Sequence, residues 1–303
     1  VSRVRTVLGD IRPGALGVCD AHDHLFLRSP QLPGQELDDV TAARAELAAF
    51  RAAGGAAVVQ WTPYGMGRRA ADLAVLSRAT GVRIVCATGL HQAAHYAPGS
   101  LDRLGGGRLA GLFVRELTEG IGTTGVRAGL IKVAGGFHGL DAHARRTMAA
   151  AAEAHHATGA TIAVHLELGT GALDVLDLLC GVLDVPAERV VLGHLNRSPD
   201  PVTHRQAAAS GCWLAFDGPS RAHHATDWRM PEAVRELAEA GFGDRLLLGG
   251  DTVVAGARSV DGGPGMPYLL RRVRGRLAEA VGAELVDRML GEHPGRAFGA
   301  DWA

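Results

Sequence analysis

An α/β fold, and within it a parallel (β/α)8 barrel preceded by a short N-terminal β-hairpin, is what three features of the sequence predict. Short β-rich runs recur eight times, and helical patterns rich in Ala, Leu, Arg and Glu lie between them. No G-x-G-x-x-G follows a strand, which removes the main sign of an open dinucleotide-binding sheet. The 303 residues suit one such domain, since these barrels typically take about 250 residues and often more. No Pro- or Ser-rich linker cuts the chain, so residues 1–303 read as a single domain.

In chain order, "VRTVLGDIRPGALG" reads as the hairpin. The eight strands fall on "LGVCDAHDHLFL", "AAVVQWTP", "RIVCATGLH", "AGLIKVAGG", "TIAVHLE", "VVLGHLN", "WLAFDGP" and "RLLLGGD". Intervening stretches such as "DDVTAARAELAAFRAAG" and "DAHARRTMAAAAEAHHATG" carry helical spacing and close on a glycine where a C-cap belongs. "LGGGRLAG" has glycines but leads from a loop into a helix, and is read as a flexible loop. His155 and His156 sit within a charged, Ala-rich helix and are read as surface residues.

Composition narrows the function. Hydrophobic content of 47%, charged content of 21% and a net charge of −1 describe a globular protein without the basic excess of a nucleic-acid binder. The four cysteines are scattered and form no C-x-x-C, which argues against a zinc ribbon or disulfide scaffold and for a reduced, cytoplasmic setting. No apolar run reaches about 18 residues, and no charged start precedes an apolar segment, so neither a membrane span nor a secretion signal is expected.

Chemistry collects at the strand ends. In "VCDAHDHLFL", from Val18 to Leu27, His22 and His24 lie two apart and share one face of the strand. A single strand histidine is commonly a satisfied core residue. A barrel, however, builds its active site at the C-terminal ends of its strands, and there the later runs place Lys132, His165, His194 and Asp251. Four histidines, a lysine and an aspartate converging on one mouth form a metal-site inventory. Six such residues suit two divalent ions about 3.5–4 Å apart, because one tetrahedral zinc takes only three protein ligands and a water. The expected split is His22, His24 and Asp251 around one ion and His165 and His194 around the other. Lys132 has two readings: only its stem is buried, or its neutral amine takes up carbon dioxide and bridges both ions as a carbamate. Thr62, His91 and Asp217 end the remaining strands, and Asp217 is read as shaping the mouth rather than as a ligand. Arg197, Arg221, His223, His224, Arg229 and Arg258 fall in the later loops, as substrate contacts or as solvated charge. No nucleophile-elbow pattern is present, so a covalent serine route is not expected.

These residues resemble the phosphotriesterase-like family of the amidohydrolase superfamily. The likeness runs nearly end to end through "AHDHLFL", "AGLIKVAGG", "TGATIAVHLELGTGALDVLDLL", "VVLGHLNRSPDP", "LLLGGD" and a closing "HPGRAFG". It implies a dinuclear site with His22, His24, His165, His194 and Asp251 as ligands and Lys132 as the carboxylated bridge. The metal would be Zn, Co or Mn, and the substrates lactones, carboxylic esters or organophosphate triesters. Departures are Asp23 in place of the usual middle glutamate, and His293 and Gly295 in the terminal motif. "HLNRSPD" and "GGPGMPYLL" are most similar to the branch that contains phosphorylated-sugar lactonases. Of the extra arginines and aromatics which that branch often carries after the last strand's aspartate, "TVVAGARSVD" keeps only Arg258.

The expectation is therefore a lactonase, with a metal-bridging hydroxide as attacking group and Asp251 carrying its proton to the leaving alkoxide. Arg197, Arg221, His223 and Arg258 are the candidate substrate contacts. A phosphotriesterase or general carboxylesterase is the alternative enzyme, and a barrel that binds metal or a small molecule without turnover is the alternative of another class. A small-molecule substrate is the expected partner, and a homodimer is compatible with the sequence.

Overall fold

All eight runs form parallel strands of one sheet in the computed structural model, which describes residues 1–104, 107–218 and 226–302. A hairpin of β1 (Arg3–Thr6) and β2 (Gly9–Ile11) comes first. The barrel strands are β3 (Cys19–Asp23), β4 (Ala57–Gln60), β5 (Arg83–Gly89), β6 (Leu130–Ala134), β7 (Ile162–His165), β8 (Val190–Gly193), β9 (Trp213–Asp217) and β10 (Leu246–Gly249). They neighbour one another in sequence order from β3 to β10. A two-residue strand, β11 (Gly299–Ala300), was not read from the sequence; it pairs antiparallel with β1 and makes the hairpin a three-stranded sheet.

The strands are apolar on both faces because both faces are covered. Alternate residues divide between two cores. Ala57, Val59, Val85, Ala87, Ala163, Val191, Trp213, Ala215 and Leu247 fill the barrel interior. Val58, Ile84, Ile131, Val133, Ile162, Val164, Leu192, Leu214 and Leu248 face the helices. Small interior residues leave room at the mouth, while Val4, Leu16 and Phe298 join the interior core from the hairpin side. Val7 N–H donating to Ile84 O at 2.8 Å ties the hairpin to the start of β5, so this small sheet plugs the end opposite the mouth.

Helices α1 (Val40–Ala52), α2 (Ala70–Thr80), α3 (Arg108–Thr118), α4 (Ala142–Thr158), α5 (Ala172–Leu176), α6 (Pro201–Ala209) and α7 (Met230–Glu239) return the chain from strand to strand. Asp39, Asp141 and Asp200 accept backbone N–H groups at the starts of α1, α4 and α6, and Gly159 ends α4 in the left-handed region. One expectation on α4 is corrected: His155 is buried against the barrel, its Nδ1 2.7 Å from Ala160 O, and only His156 is exposed. Among the described residues no helix is long and apolar enough to cross a membrane.

No ladder joins β3 to β10. The seam closes at the mouth instead, where Asp251 N–H donates to His22 O at 2.9 Å and Gly250 N–H to Asp20 Oδ1 at 3.0 Å. Only glycine allows this approach at 249, since a Cβ there would lie 2.7 Å from the Cβ of His22 and 2.8 Å from its carbonyl oxygen.

Candidate metal centre

Each ligand candidate is aimed by local backbone geometry. Lys132, His165 and Asp217 continue the inward-facing alternation of their strands. His194 (φ 65°) and Asp251 (φ 51°) are left-handed residues just past β8 and β10, a conformation that turns both side chains back over the mouth. A register irregularity between Asp20 and Asp23 resets the alternation of β3, so that His22 follows inward-facing Ala21 yet still joins the mouth with His24.

Hydrogen bonds then fix which nitrogen of each ring is free. His22 Nδ1 lies 2.8 Å from Asp217 Oδ2, and His194 Nδ1 lies 2.5 Å from Asp217 Oδ1. One carboxylate thus accepts from both rings. Thr62 donates its hydroxyl proton to Phe26 O, so at 2.8 Å it accepts from His24 Nδ1. His165 Nε2 lies 3.0 Å from Glu167 Oε2. By elimination, the lone pairs of His22, His24 and His194 sit on Nε2 and that of His165 on Nδ1. All four face the centre.

The spacing of the free atoms fits divalent ions. Asp251 Oδ1 is 3.7 Å from His22 Nε2 and 3.6 Å from His24 Nε2, too long for hydrogen bonds. With donor–metal distances of about 2.1 Å, the edge of a tetrahedral site is about 3.4 Å. These three residues therefore outline one coordination site. At the other, His194 Nε2 and His165 Nδ1 stand 2.8 Å apart. In neutral rings those are two lone pairs facing each other, an arrangement that needs a cation or a proton between them.

Electrostatics agree with that reading. Burial lowers His22, brings His24 down to about 4 and His165 to about 3, so all three are neutral and able to ligate at pH 7. Burial also works against charge on His194, yet Asp217 and Asp251 raise it above the ordinary value. Burial would raise Asp217 as well, but the His194 and His22 imidazoles hold it far below the carboxylate range. Lys132, buried beside these groups, is brought down to about 7 by burial against the pull of Asp251 and Glu167.

Behind the ligands lies an acidic pair. Asp20 accepts from the N–H groups of His22 and Gly250, and Asp23 from those of His24 and Thr252, so the two carboxyls tie the ligand-bearing segment of β3 to the one following β10. Burial pushes Asp20 up to about 7 and Asp23 well above its usual range.

The centre forms the floor of a cavity of about 190 Å³. Leu27, Leu32, Pro63, Met66 and Val253 make its apolar side, and His91, His95 and Glu167 its polar side. No serine or cysteine is among its described lining residues. The predicted substrate contacts fare differently. Arg258 is buried and donates to Leu25 O and Asp39 O, and Arg197 is buried against Asp227 and Gly218 O. Both guanidiniums bond to protein groups, and neither is among the described residues that line the cavity. Arg229 pairs with Glu232 at the start of α7. Arg221, His223 and His224 lie outside the described residues. Conversely, Asp217, Thr62, Glu167 and His91 matter more than the sequence indicated; three of them end strands, which was the signal available.

Comparison with known proteins agrees with this geometry. A sequence profile described as the phosphotriesterase family matches residues 2–298. A phospho-furanose lactonase of Mycoplasmopsis synoviae is 29% identical over 80% of this chain and 74% of its own length. A phosphotriesterase homology protein of Mycobacterium tuberculosis is 30% identical over 82% of this chain and 80% of its own. The crystal structure of a Listeria monocytogenes lactonase superposes with a TM-score of 0.90 at 27% identity, covering 98% of each chain.

Proposed function

The chain belongs to the phosphotriesterase family, and from that premise we propose that it is a metal-dependent hydrolase of ester bonds whose substrates are lactones. The observation that carries the reading is the convergence of the free nitrogens of His22, His24, His165 and His194, with Asp251 and Lys132, on the floor of one cavity. Lactonases among the similar proteins support the choice of substrate.

When bound, divalent metal supplies Lewis acidity and a water of lowered pKa at this floor. His22, His24 and Asp251 would hold one ion and His165 and His194 the other, with zinc the proposed metal. Lys132, its amine brought down to about 7 by burial, would take up carbon dioxide as a carbamate and supply an anionic oxygen ligand to the site. Asp251 holds Oδ1 among the free nitrogens of His22 and His24, while Oδ2 lies 3.8 Å from His194 Nδ1 on the Asp217 side of that ring. As the carboxylate at the floor of the cavity, Asp251 would take the proton released by water attack and return it to the leaving alkoxide. The apolar wall of Leu27, Leu32, Pro63, Met66 and Val253 offers packing for the substrate's carbon skeleton, and Asp217 and Glu167 keep the imidazoles aimed. Cys19, Cys86 and Cys212 are buried with thiol pKa values raised by burial, which leaves them out of the chemistry.

The deciding experiment compares kcat/KM for five-membered lactones, open-chain carboxylic esters and phosphotriesters on protein of measured metal content. Lactones are expected to lead triesters by at least about tenfold, a difference of about 1.4 kcal/mol in transition-state binding. Triesters ahead of every lactone would select the phosphotriesterase alternative, and binding without turnover of any ester would select the non-catalytic one.

A further inference from the structure

The metal-bearing cavity, as the described residues line it, is small. At about 190 Å³ it falls short of the roughly 300–1,000 Å³ usual for small-molecule sites, and suits little more than a lactone ring. A second cavity of about 520 Å³ stands beside it. His95 lines both, and chain neighbours divide between them: Leu27 and Pro63 face the first, Arg28 and Tyr64 the second. The half-buried His95 ring stacks on His91 at 4.2 Å, and its Nδ1 is fixed 2.9 Å from Ser29 Oγ.

The second cavity has a mixed chemistry. Tyr64, Tyr96 and Leu101 offer apolar surface, the Tyr96 hydroxyl being taken up by His91 N–H and Tyr64 O. Ser100 and the half-buried carboxylate of Glu36 offer polar groups, and Glu36 has no hydrogen-bond partner among the described residues. The charge of Arg28 is already matched by Asp38 at 3.1 Å. An anionic group would meet Glu36 and find Arg28 engaged. Carbon bearing hydroxyls satisfies both kinds of surface: its C–H faces pack on the rings while its O–H groups donate to Glu36 and to Ser100 Oγ, whose own proton goes to Ala97 O. We propose that this chamber, formed by the loops after β3, β4 and β5, holds the substrate's substituent, and that the substituent is an uncharged, polyhydroxylated chain.

This inference rests on the lactonase reading, and its test separates the two. The probes are a five-membered lactone bearing a 1,2-dihydroxyethyl group, the same ring bearing ethyl, and the dihydroxyethyl lactone phosphorylated at its terminal hydroxyl. The hydroxylated tail is expected to be preferred over ethyl by at least about tenfold in kcat/KM, and Ser100→Leu, which fills the chamber, to reduce that ratio to about twofold or less. Equal rates on the two tails, or a ratio that Ser100→Leu leaves intact, overturn the proposal while lactonase activity stands. A phosphorylated lactone faster by about tenfold or more overturns the requirement for an uncharged tail. Calorimetric binding of the ring-opened dihydroxyethyl acid reads the chamber without turnover: affinity lost in Ser100→Leu supports it, and absent or unaltered binding overturns it. Failure of all three lactones to turn over counts against the lactonase reading, and the calorimetry then decides the chamber by itself.

Discussion

Both oxygens of Asp217 are occupied by imidazoles from different strands, and this carboxylate determines which nitrogen each ring turns inward. Asp217→Asn keeps one acceptor and substitutes an N–H donor for the other, so one of His22 and His194 must change tautomer and point a proton at the centre. Metal affinity should fall by about 10- to 100-fold, measured by chelator competition, with the far-UV spectrum unchanged. Unaltered affinity would mean that Asp217 only fills space. Lys132 carries a pH prediction. Its amine is brought down to about 7 where an ordinary lysine titrates at 10.5, and only the neutral amine adds carbon dioxide. In metal-free protein, incorporation of ¹³C-labelled carbon dioxide at Lys132, followed by carbon NMR, should therefore rise from pH 6 to pH 8 and then level off. A rise that begins only above pH 9 would assign Lys132 an ordinary environment. The candidate ligands were legible in the sequence as strand-end residues, where a barrel puts its chemistry, and the structure gathers them at one cavity floor. Asp217 was seen at its strand end but not recognised as the brace, because a hydrogen bond to the far side of a ring leaves no spacing signal.

At the scale of elements, periodicity was enough to locate eight strands because covered strands carry unbroken apolar runs. It could not show how β3 brings His22 and His24 inward, since alternation alone pairs His22 with the opposite face from Ala21, and the irregularity between Asp20 and Asp23 is a property of the pairing with β4. Nor could it find β11, two residues long and a strand only because β1 lies alongside. Arg258 shows a related limit: loop position says nothing about which carbonyls lie within reach, and its guanidinium turns to Leu25 O. Gly249 tests the element-level picture. A methyl group there meets His22 at the Cβ, carbonyl oxygen and nitrogen, all within 2.9 Å, so Gly249→Ala should push β10 from β3 and displace Asp251. Overpacking of this kind costs about 1–3 kcal/mol. Denaturant unfolding should show that loss together with weakened metal binding, and a variant that binds metal normally would place the contact outside the site's support.

Across the whole molecule, the two ends of the barrel are held by different means. At the closed end the hairpin, β11 and the apolar residues Val4, Leu16 and Phe298 pack into one core that involves no ionisable ligand. At the mouth, β3 and β10 share no ladder and are joined by backbone N–H groups of residues 250–252 reaching the His22 carbonyl and the carboxylates of Asp20 and Asp23. One proposed metal site draws His22 and His24 from one side of that seam and Asp251 from the other. A metal held there acts as a staple across the strands, and its binding free energy adds to folding stability, by about 4 kcal/mol when free metal exceeds Kd a thousandfold. Chelation should then lower the melting temperature reversibly, and the loss should be local. Hydrogen exchange is expected to accelerate at the amides of Gly250, Asp251 and Thr252 while that of Val7, bonded to Ile84 O at the opposite end, keeps its protection. Acceleration spread evenly over both ends would show that metal stabilises the fold at large and that the seam closes without it.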